Sequence, residues 1–170
     1  MRKRILLILA AGKGTRMKSP VQKVLHPLLG KPMLTRLVGS LSALGPDKVY
    51  VVVGHEAEAV SKVARSFGAE TIVQEPQLGT AHALMTARKK LLEEGEADLL
   101  IVSGDVPMVP IEELSLFLSG FSESDELASL VSISLEDPFG YGRVLRDTGA
   151  ASRGWWRRRT PRPLRKPPGR

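Results

Sequence analysis

The sequence predicts an α/β fold built on a Rossmann-like, doubly wound and mostly parallel sheet. Apolar runs rich in Val, Ile and Leu alternate along the chain with segments of helical length and pattern. The runs show little alternation with polar residues, which is typical of parallel strands that helices cover on both faces. A glycine-rich segment follows the first run directly, as expected where a strand leads into a ligand-binding loop.

Each element is predicted from its composition and its end signals. Pro32 opens the first helix, and Gly45 and Gly68 follow the ends of the first two. The predicted helices cover residues 32–44, 56–67, 80–92 and 110–118. The predicted strands cover residues 5–10, 48–53, 71–74, 98–103 and 127–135. In such a sheet ligands bind at the carboxyl ends of the strands, so the loops there are the candidate sites.

Length and composition favour one soluble domain. The 170 residues suffice for one α/β core but not for two. The chain has no cysteine, so a bound metal would need carboxylates and other oxygen ligands. The N-terminus resembles a signal peptide because a basic start is followed by an apolar run, but this run leads directly into the glycine-rich loop. No segment approaches the roughly 18 apolar residues of a membrane span. We expect a cytoplasmic protein without membrane contact.

The net charge of +7 comes from the C-terminal tail. Residues 150–170 hold eight basic side chains, both tryptophans and no acid, whereas residues 1–149 carry 17 basic against 18 acidic side chains. This break predicts a domain at 1–149 and a basic, disordered tail at 150–170. An alternative interpretation is a basic arm that binds nucleic acid through phosphate neutralisation and tryptophan stacking. The near-neutral domain does not favour nucleic acid as a partner.

The first candidate site is the segment LAAGKGTRM at residues 9–17. Glycines let a backbone approach phosphates closely, and Lys13 and Arg16 supply positive charge for a triphosphate. The spacing matches neither a P-loop nor the dinucleotide-binding fingerprint. A glycine turn flanked by solvated cations stays open as an alternative.

Three further segments carry candidate residues. Lys23 could reach the same phosphates or be a surface lysine. Asp105 follows an apolar strand, where it could hold Mg²⁺ or cap a turn before Pro107. Gln74 could pair with a base edge, and Gly79 with Thr80 could present backbone groups at a helix start. His55 and His82 are interpreted as loop and packing residues, respectively.

Together these segments resemble the uridyltransferase (pyrophosphorylase) domain of the bacterial bifunctional enzymes that make UDP-N-acetylglucosamine. The matching motifs are LAAGKGTRM, KVLH at 23–26, EPQLGTAHA at 75–83, SGDVP at 103–107 and DPFGYGR at 137–143. The resemblance covers residues 1 to about 149 and implies the nucleotide-diphospho-sugar transferase fold, incomplete at the C-terminus. The combination of QLGTAHA with GYGR is more specific to this family than the first motif, which related transferases share.

The resemblance implies a role for each matching residue. Arg16 and Lys23 would act on the phosphates, Asp105 would bind Mg²⁺, and Gly142 would contact the sugar. The uridine nucleotide would be held by Leu9, Ala10, Ala11, Gly12, Gln74, Gly79 and Thr80. Gln22 stands where the family usually has proline, which predicts a less rigid loop at this point.

The implied reaction joins UTP to N-acetylglucosamine 1-phosphate and releases pyrophosphate. Another sugar 1-phosphate or molybdopterin nucleotidyltransferase, or an inactive nucleotide-binding remnant, stays open as an alternative. Family members form homotrimers through a β-helix domain that has no counterpart in this sequence, so a monomer is expected.

The tail departs from the family, which continues with a segment like VVEEKDATP. Synonymous codons can be chosen for residues 152–163 so that the frame starting one nucleotide earlier encodes ITGVVEEKDATP. We therefore expect a chain truncated and frameshifted after about residue 149. Sequencing the gene tests this, because other codons at these positions would exclude it.

Overall fold

The computed structural model describes residues 2–14, 17–137, 139–146 and 152–157. The chain divides into two compact units, Met1–Asp125 and Glu126–Arg170. The strands are β1 (Lys3–Leu9), β2 (Pro27–Leu28), β3 (Lys31–Pro32), β4 (Lys48–Val53), β5 (Glu70–Val73), β6 (Ala97–Ser103), β7 (Gly142–Arg146) and β8 (Ser152–Arg157). The α-helices are α1 (Met33–Leu41), α2 (Ala57–Arg65), α3 (Thr80–Glu93) and α4 (Ile111–Ser122).

The first unit is built on a four-stranded parallel sheet in the order β5-β4-β1-β6. Side chains of β1 alternate between two hydrophobic clusters, as a strand covered on both faces requires. Leu6 and Ile8 pack in a cluster with residues of α1, α2 and α4, whereas Ile5 and Leu7 pack in a cluster with Ala83 and Ala87 of α3. The predicted doubly wound parallel sheet is therefore confirmed.

The face under α3 is less completely covered than the opposite face. Ile101 of β6, one of the two edge strands of the described sheet, is 42% exposed. A cavity of about 340 Å³ lies beside α3, with Leu84, Leu91 and Leu99 among its lining residues. In the part of the chain that the structure describes, no helix has the length and apolar composition that crossing a membrane requires.

Two predicted elements differ from the structure. The predicted strand at 127–135 is wrong, because these residues form no strand; Leu127 is 99% and Ile133 is 71% exposed. A strand needs a hydrogen-bonded neighbour, which an apolar run alone does not supply. Helix α4 also continues past the predicted end, through Gly120 to Ser122, whose Oγ donates to Asp98 Oδ2 at 2.6 Å.

In the second unit, β7 pairs antiparallel with β8. Strand β8 lies within the segment that the composition marks as a tail. The remaining tail residues, 150–151 and 158–170, lie outside the described residues. The domain boundary at residue 149 stays a prediction.

Candidate functional site

The four parallel strands of the first unit end at the same edge of the sheet, and the following loops approach one another closely there. Gly104, after β6, donates its N–H to the Leu9 carbonyl at 2.9 Å. A Cβ at Gly104 would lie 3.0 Å from Val24 Cγ1 and 3.1 Å from that carbonyl oxygen. At Gly54, after β4, a Cβ would lie 2.9 Å from the Ala11 carbonyl oxygen. Both glycines therefore allow contacts that a side chain would prevent.

The glycine-rich loop after β1 packs against the segment that contains Lys23. Ala10 and Ala11 are buried, whereas Gly12 and Lys13 are exposed. Gly14 has a φ of +61°, and a Cβ there would lie 2.8 Å from the Lys23 Cβ. The loop thus needs glycine at this position both for its backbone conformation and for its approach to Lys23.

Gln22 fastens this loop to the following 3₁₀ turn, Lys23–Leu25. Its Nε2 donates to the carbonyls of Ala10 at 2.9 Å and Gly12 at 3.1 Å, while its Oε1 accepts from the Val24 N–H at 2.6 Å. A buried amide with three hydrogen bonds restrains the loop. The looser loop expected from glutamine in place of proline stays a prediction.

Lys23 and Asp105, which have separate predicted roles, form an ion pair beside the loop. The Lys23 ammonium donates to Asp105 Oδ2, and Ser103 Oγ donates to Oδ1 at 2.5 Å. Burial alone would raise the pKa of Asp105, but the hydrogen bonds from Lys23 and Ser103 outweigh it and hold the pKa below its usual value. Asp105 is therefore a stable carboxylate at neutral pH.

Gln74, Gly79 and Thr80 lie together at the start of α3. Gln74 is 2% exposed, and its Nε2 donates to the Gly79 carbonyl at 3.1 Å and lies 2.9 Å from His82 Nδ1. Gly79 adopts a φ of +103°, and Thr80 begins the helix. These contacts of Gln74 stabilise the turn that leads into α3. A role of Gln74 at a base edge stays a prediction.

The loop before α3 also reaches the glycine-rich loop. A Cβ at Gly54 would lie 3.0 Å from both Ala11 Cβ and Gln77 Cγ, so both side chains border this glycine. Gln77 in turn donates to the Gln74 carbonyl at 3.1 Å. The structure therefore brings the nucleotide-binding candidates of both loops to one region of the sheet edge.

The structure does not test two of the predicted site residues. Arg16 lies outside the described residues. Gly142 lies in β7 of the second unit, so its proposed sugar contact stays a prediction. Lys13 is exposed and makes no ion pair with any described residue.

The sequence did not indicate the roles of Gln22 and Ser103. Ser103 is two residues from Asp105 at the end of a strand, a spacing that could have suggested a hydroxyl for the carboxylate. Gln22 carried no comparable signal, because the two carbonyls to which it donates are 12 and 10 residues away.

The donor set around Asp105 fits a divalent cation that also binds phosphates. No cluster of three or more His, Cys, Asp or Glu side chains occurs among the described residues. Asp105 and Ser103 nevertheless supply carboxylate and hydroxyl oxygens, and Mg²⁺ commonly takes one or two carboxylates with phosphates and water. In this structure the cation that contacts the Asp105 carboxylate is the ammonium group of Lys23.

A parallel sheet with a glycine-rich loop, a lysine and a carboxylate at its carboxyl edge defines a Rossmann-like domain of the nucleotidyltransferase class. The family model described as "MobA-like NTP transferase domain" matches residues 6–158, and the chain belongs to this family.

Relatives agree with this assignment. The chain is 43% identical over 147 residues to the bifunctional protein GlmU of Listeria monocytogenes serotype 4a, and likewise to that of Bacillus mycoides. Each match covers 86% of this chain but 32% of the relative, so the chain spans about a third of the length of these curated relatives.

Solved structures share the fold. A nucleotidyl transferase from Methanothermobacter is 25% identical with a TM-score of 0.57, over 69% of this chain and 57% of that one. A 4-diphosphocytidyl-2C-methyl-D-erythritol synthase is 21% identical with a TM-score of 0.64, over 92% and 72% of the two chains. The second likeness shows the fold alone.

Proposed function

We propose that this chain carries the nucleotide-binding part of a uridylyltransferase. This enzyme would form UDP-N-acetylglucosamine and pyrophosphate from UTP and N-acetylglucosamine 1-phosphate. The observation that carries the proposal is the meeting of Lys23, Asp105 and the glycine-rich loop at the carboxyl edge of the sheet. The 43% identity to GlmU supports it.

The reaction needs positioning and charge neutralisation more than proton transfer. A phosphate oxygen of the sugar phosphate forms a bond to the α-phosphorus of UTP, while the bond from that phosphorus to the bridging oxygen breaks and pyrophosphate leaves. Because the nucleophile is already an anion, little general-base catalysis is required. Lys23 and Arg16 would neutralise phosphate charge, and backbone N–H groups of the glycine-rich loop would hold phosphate oxygens.

The proposal includes Mg²⁺, which Asp105 would hold with the Ser103 hydroxyl nearby. When bound, the metal would neutralise charge on the phosphates. Asp105 suits this role because its hydrogen bonds keep it ionised at neutral pH. A solved structure with the same fold, Rv0371c from Mycobacterium tuberculosis, is a complex with manganese.

A second candidate is a nucleotidyltransferase with another base or acceptor. The observation that favours it is the description of the matching family model as MobA-like. The arrangement of Lys23, Asp105 and the glycine-rich loop serves the triphosphate, which is common to all such substrates. Base and acceptor must therefore be decided by experiment.

Pyrophosphate release tests both candidates. The chain is incubated with Mg²⁺ and UTP, CTP or GTP, with and without N-acetylglucosamine 1-phosphate. We expect release with UTP that requires the sugar phosphate and disappears in Asp105→Ala. Asp125→Ala, which changes an exposed aspartate at the end of the first unit, is the matched control and should behave as wild type.

The other outcomes separate the alternatives. Release with GTP or CTP in place of UTP would support the second candidate. UTP binding without release would leave a nucleotide-binding remnant. Release that Asp105→Ala does not reduce would contradict the proposed site.

A further inference from the structure

Gln22 is almost completely buried beneath the glycine-rich loop, and both polar atoms of its side chain make hydrogen bonds. It is 1% exposed. Its two donated hydrogen bonds go to the carbonyls of Ala10 and Gly12, two peptide units of the same loop. Its acceptor oxygen takes the Val24 N–H in the adjoining turn. One side chain therefore sets the orientation of two peptide planes.

These orientations determine where the loop can donate hydrogen bonds. In a trans peptide the N–H points opposite to the C=O of the same unit. Because the carbonyls of Ala10 and Gly12 face Gln22, the N–H groups of Ala11 and Lys13 point away from it. Neither N–H donates to another described residue. Gln22 lies on the buried side of the loop, so these donors face its open side, where Gly12 and Lys13 are exposed.

We propose that Gln22 is a positioning residue that directs the N–H groups of Ala11 and Lys13 toward the triphosphate of the bound nucleotide. This rests on the proposed function, because it assumes a triphosphate at this loop. Preoriented N–H groups bind phosphate oxygens without reorganisation of the backbone. Gln22 touches no substrate, and it acts through the loop.

The experiment measures binding of inorganic tripolyphosphate, a probe with the charged part of the nucleotide but no base. Wild type is compared by calorimetry with Gln22→Glu and Gln22→Met. Gln22→Glu keeps the acceptor for Val24 but can donate at most one of the two hydrogen bonds, because a carboxyl group has at most one proton, whereas Gln22→Met loses all three. Val38→Ala, which truncates a buried residue of α1, controls for lost stability.

We expect both Gln22 variants to bind tripolyphosphate at least about tenfold more weakly, the scale of losing hydrogen bonds to a charged group. Val38→Ala should keep the wild-type affinity. In the ¹⁵N spectrum of wild type, the Ala11 and Lys13 amide resonances should move on addition of tripolyphosphate. This last measurement remains available if a Gln22 variant does not fold.

The outcomes distinguish the two proposals. Wild type that binds tripolyphosphate and UTP, while the folded Gln22 variants bind equally well, would overturn the role of Gln22 alone. Binding that leaves the Ala11 and Lys13 resonances unmoved would do the same. Wild type that binds neither compound would overturn the proposed function together with this role.

Discussion

Lys23 and Asp105 are 82 positions apart in the sequence, yet they share one ion pair at the sheet edge. The pair keeps a half-buried carboxylate ionised and a lysine directed into the site. A metal at Asp105 and a phosphate at Lys23 would each replace the partner that the residue has in this structure. The two ligands should therefore bind in a coupled manner, since either one frees a residue for the other.

Lys23→Met tests this coupling. The substitution removes the cation that competes with a metal for Asp105, so Mn²⁺ should bind the nucleotide-free protein more tightly, by about two- to fivefold for a partly exposed ion pair. Electron paramagnetic resonance titration measures the free metal. Asp105→Asn should abolish this binding. Unchanged Mn²⁺ affinity in Lys23→Met would show that the ion pair does not oppose the metal.

Sequence patterns indicated Lys23 and Asp105 as candidate site residues. They did not indicate that the two side chains form an ion pair. Chain order alone does not give the distance between two loops; only the parallel sheet does. Gln22 shows more clearly what sequence patterns alone do not reveal. The sequence identified it only as a departure from the family's usual proline, and it did not indicate that the side chain is buried and makes three hydrogen bonds.

Among the secondary-structure elements, the local sequence pattern predicted an element correctly where tertiary contacts favoured the same element. The predicted strand at 48–53 coincides with β4, and it is covered on both sides by neighbours in the sheet. The run at 127–135 has similar apolar composition but no strand pairing in the described structure. Helix α4 passes through Gly120, because buried Leu114 and Leu118 and the bond of Ser122 to Asp98 outweigh the low helix propensity of glycine.

A glycine pair tests this account of the elements. A Cβ at Gly120 meets nothing within 4 Å, so Gly120→Ala should raise the free energy of unfolding by up to about 1 kcal/mol. Gly104→Ala should lower it, because its Cβ would press on Val24 and the Leu9 carbonyl. Urea unfolding measures both. Equal effects of the two substitutions would contradict the packing described at the sheet edge.

At the scale of the whole molecule, the alternation of apolar and helical segments was enough to predict the doubly wound sheet. The charge distribution separates near-neutral residues 1–149 from basic residues 150–170, and the domain boundary drawn from it stays a prediction. The pairing of β7 with β8 could not be predicted, since nothing in the composition of residues 152–157 distinguishes a strand from a basic tail. The frameshift after about residue 149 stays a prediction that the gene sequence tests.

We propose that the sheet edge formed by the glycine-rich loop, Lys23 and Asp105 binds a nucleoside triphosphate. Calorimetric titration of UTP in the presence of Mg²⁺ tests it most directly. Lys89→Met, an exposed lysine of α3, is the matched control for Lys23→Met. We predict UTP binding by wild type and by Lys89→Met with equal affinity, and binding at least about tenfold weaker in Lys23→Met. Absence of UTP binding by wild type, or equal affinity in Lys23→Met, would contradict triphosphate binding at this sheet edge.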